Sequence, residues 1–223
     1  MGHANSAIPT GISDVFEKLR SEITWLHARW IIYRQLFGTS ERRVELLNEC
    51  AATCFHIIQN VLQDEIQMSL NKLTDPAQTK GKQNLSLEQL LNRIKALNDN
   101  DENLINSLND KLGKLRGTCK PFRIRRDKKL AHLDLEIAME ADFNSLPRIS
   151  RQMIEDALGI VRKFMNEIEI HYSGTEMAYE HFAMTSGGDA LAAVLKSGLR
   201  YEQLLQTRAI IDVGWDQGPY WDA

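Results

Sequence analysis

The residues best equipped for chemistry lie together in Pro121-Phe-Arg-Ile-Arg-Arg-Asp-Lys-Lys-Leu-Ala-His-Leu-Asp134. There, five cations (Arg123, Arg125, Arg126, Lys128 and Lys129) precede one histidine, His132. An imidazole exchanges protons near neutral pH, and a guanidinium offers a charged fork matched to phosphate oxygens. The chain holds 27 Lys and Arg against 30 Asp and Glu. Nine of those cations and one acid, Asp127, fall between Lys111 and Lys129, so the remainder carries 18 against 29. A mildly acidic chain has concentrated its positive charge beside a titratable group. The chemistry that suggests is a local anion site with an acid–base residue in it.

Which arginine partners His132 depends on the backbone. At about 100° per residue, six helical steps leave Arg126 roughly 120° around from His132, whereas Arg125, seven steps away, lies within about 20°. A helix starting before Arg125 puts Arg125, Lys128, Lys129 and His132 on one face. A helix starting near Asp127 leaves Arg126 in its first turn, free to swing toward the histidine. Spacing alone keeps both arginines open.

The elements that must hold this stretch read as helices. The chain has 223 residues, 43% apolar and 26% charged, which is ordinary for a globular protein with a sizeable core. The net charge of −3 argues against a general nucleic-acid coat, so contact with nucleic acid is expected in a patch. No run of about 18 apolar residues and no signal-peptide pattern appears. Three cysteines do not suggest a disulfide framework. The expectation is a cytoplasmic protein with no membrane contact and no cofactor.

Residues 1–12 read as a flexible leader. Ser13 is expected to cap a long helix with an apolar stripe of Val15, Leu19, Ile23, Leu26, Trp30 and Tyr33, ended by Gly38. Ser40 opens a second, through Val44, Leu47, Ala51, Cys54, Ile58, Val61 and Ile66 to about Leu73. Two helices this long with so short a joint are expected to pack antiparallel. A polar loop follows, Leu73 to Asn84. Ser86 then caps a helix to about Leu97, and residues 102–116 form another. Gly117 and Pro121 bracket a turn into the central stretch, and residues 124–140 are helical. Ser150 begins a periodic helix ending near Gly174, and the last candidate runs from about Asp189 to Leu205. The fold class is all-α, a bundle of long antiparallel helices. Its domain spans 13–173, with 174–223 forming a C-terminal helix and an aromatic tail packed on or near the bundle.

Arg126, five intervening residues and His132, with a polar residue directly after the arginine, resemble the signature of the HEPN superfamily. Trp30-Ile-Ile-Tyr-Arg-Gln-Leu-Phe-Gly, Leu73-Thr-Asp-Pro-Ala, Asn84-Leu-Ser-Leu and Arg125-Arg-Asp-Lys-Lys-Leu-Ala-His-Leu-Asp are similar to its AbiU-like abortive-infection branch, over about residues 14–170. The resemblance implies a homodimer whose two motif helices meet in one composite site. It also implies metal-independent RNA cleavage to a cyclic phosphate, as in a toxin-like effector of phage defence. Carried over, His132 is the general acid–base, Arg126 steadies the phosphate and Asp127 orients both. Arg123, Arg125, Lys128 and Lys129 would draw RNA to the site, and an antitoxin or other regulatory protein is an expected partner. Some HEPN toxins carry a tyrosine two residues after the histidine that a partner nucleotidyltransferase modifies. Asp134 stands here instead, so that control is not expected.

Plainer readings stand beside these. The basic stretch could be a solvated helix face, making the chain a non-catalytic HEPN module that binds RNA, a nucleotide or a protein partner. Asp134 and Glu136 read as salt-bridge partners. Cys50 and Cys54 read as core residues, because three ligands on one helix, His56 included, cannot close a zinc site. Trp25, Trp30, Tyr33 and Phe37 read as core or dimer packing.

Overall fold

A computed structural model describes residues 8–97, 101–130, 139, 146–182 and 184–211. These are almost wholly helical, as the periodicity predicts. In chain order they are α1 (Thr10–Tyr33), a π-helical turn (Arg34–Gly38), α2 (Glu41–Thr74), α3 (Leu87–Lys95), α4 (Glu102–Thr118), α5 (Lys120–Arg125), a second π-helical turn (Arg126–Leu130), α6 (Arg151–Ser173) and α7 (Gly188–Gln206). The only sheet among the described residues is a hairpin of β1 (Gln78–Thr79) and β2 (Lys82–Gln83) in the loop after α2, with Thr79 opposite Lys82. Its two turn residues, Lys80 and Gly81, both have positive φ, which is the backbone a two-residue hairpin demands. No helix among the described residues is long and apolar enough to cross a membrane.

The chain divides into two compact units, Met1–Trp30 with Val61–Ala183, and Ile31–Asn60 with Met184–Ala223. In the first, apolar residues at intervals of three and four turn inward from each helix. They include Phe16, Leu19, Ile23 and Leu26 of α1, Ile66 and Leu70 of α2, Leu90, Leu91 and Ile94 of α3, Leu108, Leu112 and Leu115 of α4, Phe122 of α5, and Leu158, Val161, Phe164 and Met165 of α6. Burying each such side chain is worth about 1.5–3 kcal/mol. Surface ion pairs such as Arg93–Asp14 (2.6 Å) are screened by solvent and add little, so the apolar faces hold the unit together. Lys111–Glu167 (2.6 Å) links α4 to α6, and Trp30 Nε1 donates to Glu155 at 2.8 Å, linking α1 to α6.

In the second unit, Leu36 and Phe37 of the first π turn are buried and pack with the start of α7. Gly188 donates its amide to Gln35 Oε1 at 2.8 Å. A β-carbon at Gly188 would come within 2.9 Å of the Gln35 and Leu36 side chains, so this contact requires glycine.

Local signals place several helix ends. The Ser40 hydroxyl accepts the Arg43 amide (3.2 Å), Ser86 the Gln89 amide (3.3 Å) and Ser150 the Met153 amide (3.2 Å). Gly174 takes the left-handed conformation (φ 66°) that closes α6.

Other expectations need correction. α1 begins at Thr10, before the Ser13 cap, because Ile8 and Ile12 are buried and continue its apolar face. Gly117 lies inside α4, and only Cys119 separates α4 from α5, with Pro121 in the first turn of α5, where its missing amide costs nothing. The single phase assumed for α2 fails at Ala51, whose dihedrals (φ −165°, ψ 70°) leave the helix. Beyond it Phe55 is buried, whereas Cys54 and Val61 are exposed and Cys50, just before it, is half-buried, so these two cysteines are not core residues. Trp25 is 57% exposed and touches the Phe182 ring at 6.0 Å. The antiparallel contact of α1 with α2 pairs Arg29 with Glu65 and Ser69, far along α2, not with residues beside the joint.

Candidate functional site

The C-terminal end of α2 exposes carbonyls that have no partner within the helix, and it is the negative end of the helix dipole. The basic stretch gathers around it. Arg116 Nε donates to Thr74 O at 3.3 Å, and Arg123 Nη2 donates to Thr74 O (3.3 Å) and Thr74 Oγ1 (3.0 Å). Thr74 is itself buried. The next residue, Asp75, takes Arg126 Nη1 at 3.0 Å and lies 3.6 Å from Arg123 Nη2. Arg126 Nε donates to Asp127 Oδ1 at 2.8 Å. Arg126 is thus gripped along two edges by two carboxylates. Partial burial works against its charge, but the hydrogen bonds to Asp127 and Asp75 outweigh that and hold its pKa above the usual guanidinium value.

The loop carrying Asp75 is fixed in turn. Asn84 Nδ2 donates to Pro76 O (2.7 Å) and Thr79 Oγ1 (2.8 Å), and the Ala77 amide donates to Glu88 Oε2 at 2.6 Å. Glu88 Oε1 pairs with Arg116 at 3.1 Å, closing a circuit from α4 through α3 back to the end of α2. From below, the buried Asn71 donates to Phe122 O at 3.2 Å. The motif arginine therefore rests on a braced support built from Leu73-Thr-Asp-Pro-Ala and Asn84-Leu-Ser-Leu.

The backbone at the motif departs from both alternatives weighed from the sequence. The helix is under way from Lys120, yet Arg126–Leu130 forms a wider π turn, so 100° per residue does not carry across it. Such turns concentrate at functional sites. Arg125 goes elsewhere: its Nη1 donates to Pro147 O at 3.4 Å and its Nε is buried without a partner among the described residues. Asp127 and Lys128 are exposed, and Lys129 is half-buried. His132, Asp134, Glu136 and the aromatics Trp215, Tyr220 and Trp221 lie outside the described residues.

Reading the sequence for charged groups found Arg123, Arg125, Arg126, Asp127, Lys128 and Lys129 but missed Thr74, Asp75 and Glu88, the groups that receive the arginines. Thr74 and Asp75 had one signal, their place in the Leu73-Thr-Asp-Pro-Ala stretch that carries the family resemblance; nothing in the spacing links Asp75 to an arginine 51 positions on. Other candidates recede. Cys119 is buried and its thiol is pushed up to about 12, mainly by desolvation, so it is no nucleophile at neutral pH. Among the described residues no group of three His, Cys, Asp or Glu could hold a metal.

Searches of curated proteins and of solved structures returned no match. The family model for AbiU2, a HEPN domain, matches residues 10–192, from the start of α1 into α7 and across the whole basic cluster. The chain belongs to the AbiU2 family of HEPN domains, a HEPN-type abortive-infection module.

Proposed function

We propose that this protein is a metal-independent endoribonuclease, acting as a homodimer whose two motif helices form one composite site. The observation that carries this reading is Arg126, held by Asp75 and Asp127 in a π turn six residues ahead of His132. A guanidinium fixed by two carboxylates and still charged is preorganised for the charge that builds on a phosphoryl group.

In this reading, neutral His132 of one protomer takes the proton from an RNA 2′-hydroxyl. The 2′-oxygen bonds to phosphorus, the bond from phosphorus to the 5′-oxygen breaks, and the protonated His132 of the partner subunit supplies the leaving oxygen with a proton. The products are a 2′,3′-cyclic phosphate and a 5′-hydroxyl. Arg126 stabilises the extra negative charge on the phosphoryl oxygens, and Asp127 fixes its orientation. Lys128 and Lys129 draw RNA by charge, Arg125 adds to that field, and Arg123 supports the site mainly by capping α2.

Arginine substitutions test the assignment. Arg126→Ala is expected to slow cleavage by about a hundredfold or more, the loss typical when an oxyanion-stabilising group is removed. Arg125→Ala is expected to weaken RNA binding with a far smaller effect on the bound-state rate. The reverse order would move the catalytic role to Arg125. The second reading, a binding module without turnover, draws on the same pairing, since the charge of Arg126 is already balanced by two carboxylates; it predicts RNA binding with no cleavage in any variant.

A further inference from the structure

The hairpin after α2 is ordered but adds nothing to the core. Every residue from Gln78 to Gln83 is exposed, so apolar burial does not hold it. It is held at its base instead. The Asn84 amide donates to Ala77 O at 2.8 Å, and the Asn84 side chain donates to Pro76 O and Thr79 Oγ1. The Ala77 amide donates to Glu88, fixing the base on α3. That base is also the loop whose Asp75 holds Arg126, so hairpin and motif arginine stand on one braced support within the first unit.

The charge of the hairpin is one-sided. Between Asp75 and Glu88 the chain has no acid and two cations, Lys80 and Lys82. The flanking acids are already balanced, Asp75 by Arg126 and Arg123, and Glu88 by Arg116. Glu22 of α1, which borders Asn84 and Leu85, shares that wall with Lys72. Neither Lys80 nor Lys82 has an ion-pair or hydrogen-bond partner among the described residues. Lys80 also sits where lysine is disfavoured. Its φ of 48°, at the first turn position, is left-handed backbone that asparagine and glycine take far more readily. Such outliers gather at functional sites.

We propose that this hairpin is an RNA-binding arm of the motif site, Lys80 and Lys82 each taking a backbone phosphate of the strand whose scissile phosphate lies at Arg126. An ammonium is a compact point charge that meets a phosphate without reading a base, so the arm positions the strand and selects no sequence. Five residues carry the chain from Asp75 to Lys80, at most about 18 Å, so one short strand can touch both places. The arm supplies free charge where the basic stretch does not, because Arg116, Arg123 and Arg126 are committed to the end of α2 and to Asp75. The placement of the scissile phosphate rests on the ribonuclease reading, whereas RNA binding by the arm does not.

The test is fluorescence anisotropy of a labelled single-stranded 2′-O-methyl RNA, which lacks the hydroxyl needed for cleavage, titrated with the full chain over a range of salt. Wild type is compared with Lys80→Gln/Lys82→Gln and with Lys18→Gln/Lys163→Gln, which removes the same charge from exposed lysines of α1 and α6. Each lost phosphate contact lowers the slope of log affinity against log salt by about 0.7 on single strands. The hairpin variant is therefore expected to fall about 1.4 below wild type and to bind about tenfold or more weakly at low salt, with the control pair near wild type. Lys80→Asn suits the turn but lacks the charge, so its urea midpoint should match or exceed wild type while its slope falls by about 0.7. Equal losses in both double variants, or no RNA binding by wild type, would overturn the arm. An unchanged slope in the hairpin variant would also overturn it, and would leave the hairpin to an acidic protein surface. Cleavable RNA is assayed separately: wild type that binds through the hairpin and cuts nothing overturns the ribonuclease reading and leaves the arm standing.

Discussion

Arg126 carries the argument at the scale of single residues, and what distinguishes it from its neighbours is its partners. Arg116 and Arg123 satisfy the carbonyl end of α2, and Arg125 turns to Pro147 O. Arg126 alone of these bridges Asp75 and Asp127. Much of the positive charge that looks like a free anion site in the sequence is thus committed within the chain. Asp75 becomes a positioning residue under the proposed chemistry. Asp75→Asn keeps the shape but removes the charge, and is expected to lower the bound-state cleavage rate about a hundredfold by letting Arg126 shift, with little change in KM. Kinetics at saturating RNA check this; a change confined to KM would assign Asp75 to binding instead.

Elements position that residue, and the ones legible in advance are those fixed by local chemistry. The caps at Ser40, Ser86 and Ser150 and the left-handed Gly174 follow from side chains within three residues of the helix end. The break at Ala51, the two π turns and the hairpin after α2 answer to packing between distant segments, which periodicity does not encode. The same holds for Asp75, whose partner is set by the placement of α5 against the end of α2. The brace on the Asp75 loop gives an element-scale prediction. Ser86 is fully buried and caps α3, which carries Glu88 to the Ala77 amide and to Arg116. Ser86→Ala is expected to cost about 1 kcal/mol of stability, measured as a lower urea midpoint at unchanged slope. A neutral result would mean that burial of Leu87, Leu90 and Leu91 holds α3 without its cap.

For the whole molecule, pH dependence probes a buried group away from the basic cluster. His27 is 1% exposed, stacks on Tyr179 at 5.9 Å, and has Arg162 and Glu180 as its charged surroundings. Burial, helped by Arg162 and opposed by Glu180, lowers its pKa from 6.5 to about 4. The unfolded chain therefore takes up the proton first as pH falls. This contribution to stability is complete above about 6.5 and is lost progressively toward 4, by roughly 3 kcal/mol in all. Urea midpoints for wild type and His27→Phe should diverge in slope across that window, and parallel curves would contradict the assignment. The central claim, that an abortive-infection HEPN module cuts RNA with Arg126 and His132, is tested most directly by incubating mixed RNA with purified protein in EDTA. Wild type and His132→Ala are compared after both are shown to be dimers. The account predicts cleavage by wild type alone, leaving 2′,3′-cyclic phosphate ends, and a rate at least about a hundredfold lower for His132→Ala. Equal cleavage by both, or none by either, would contradict it and leave the basic cluster as a binding surface.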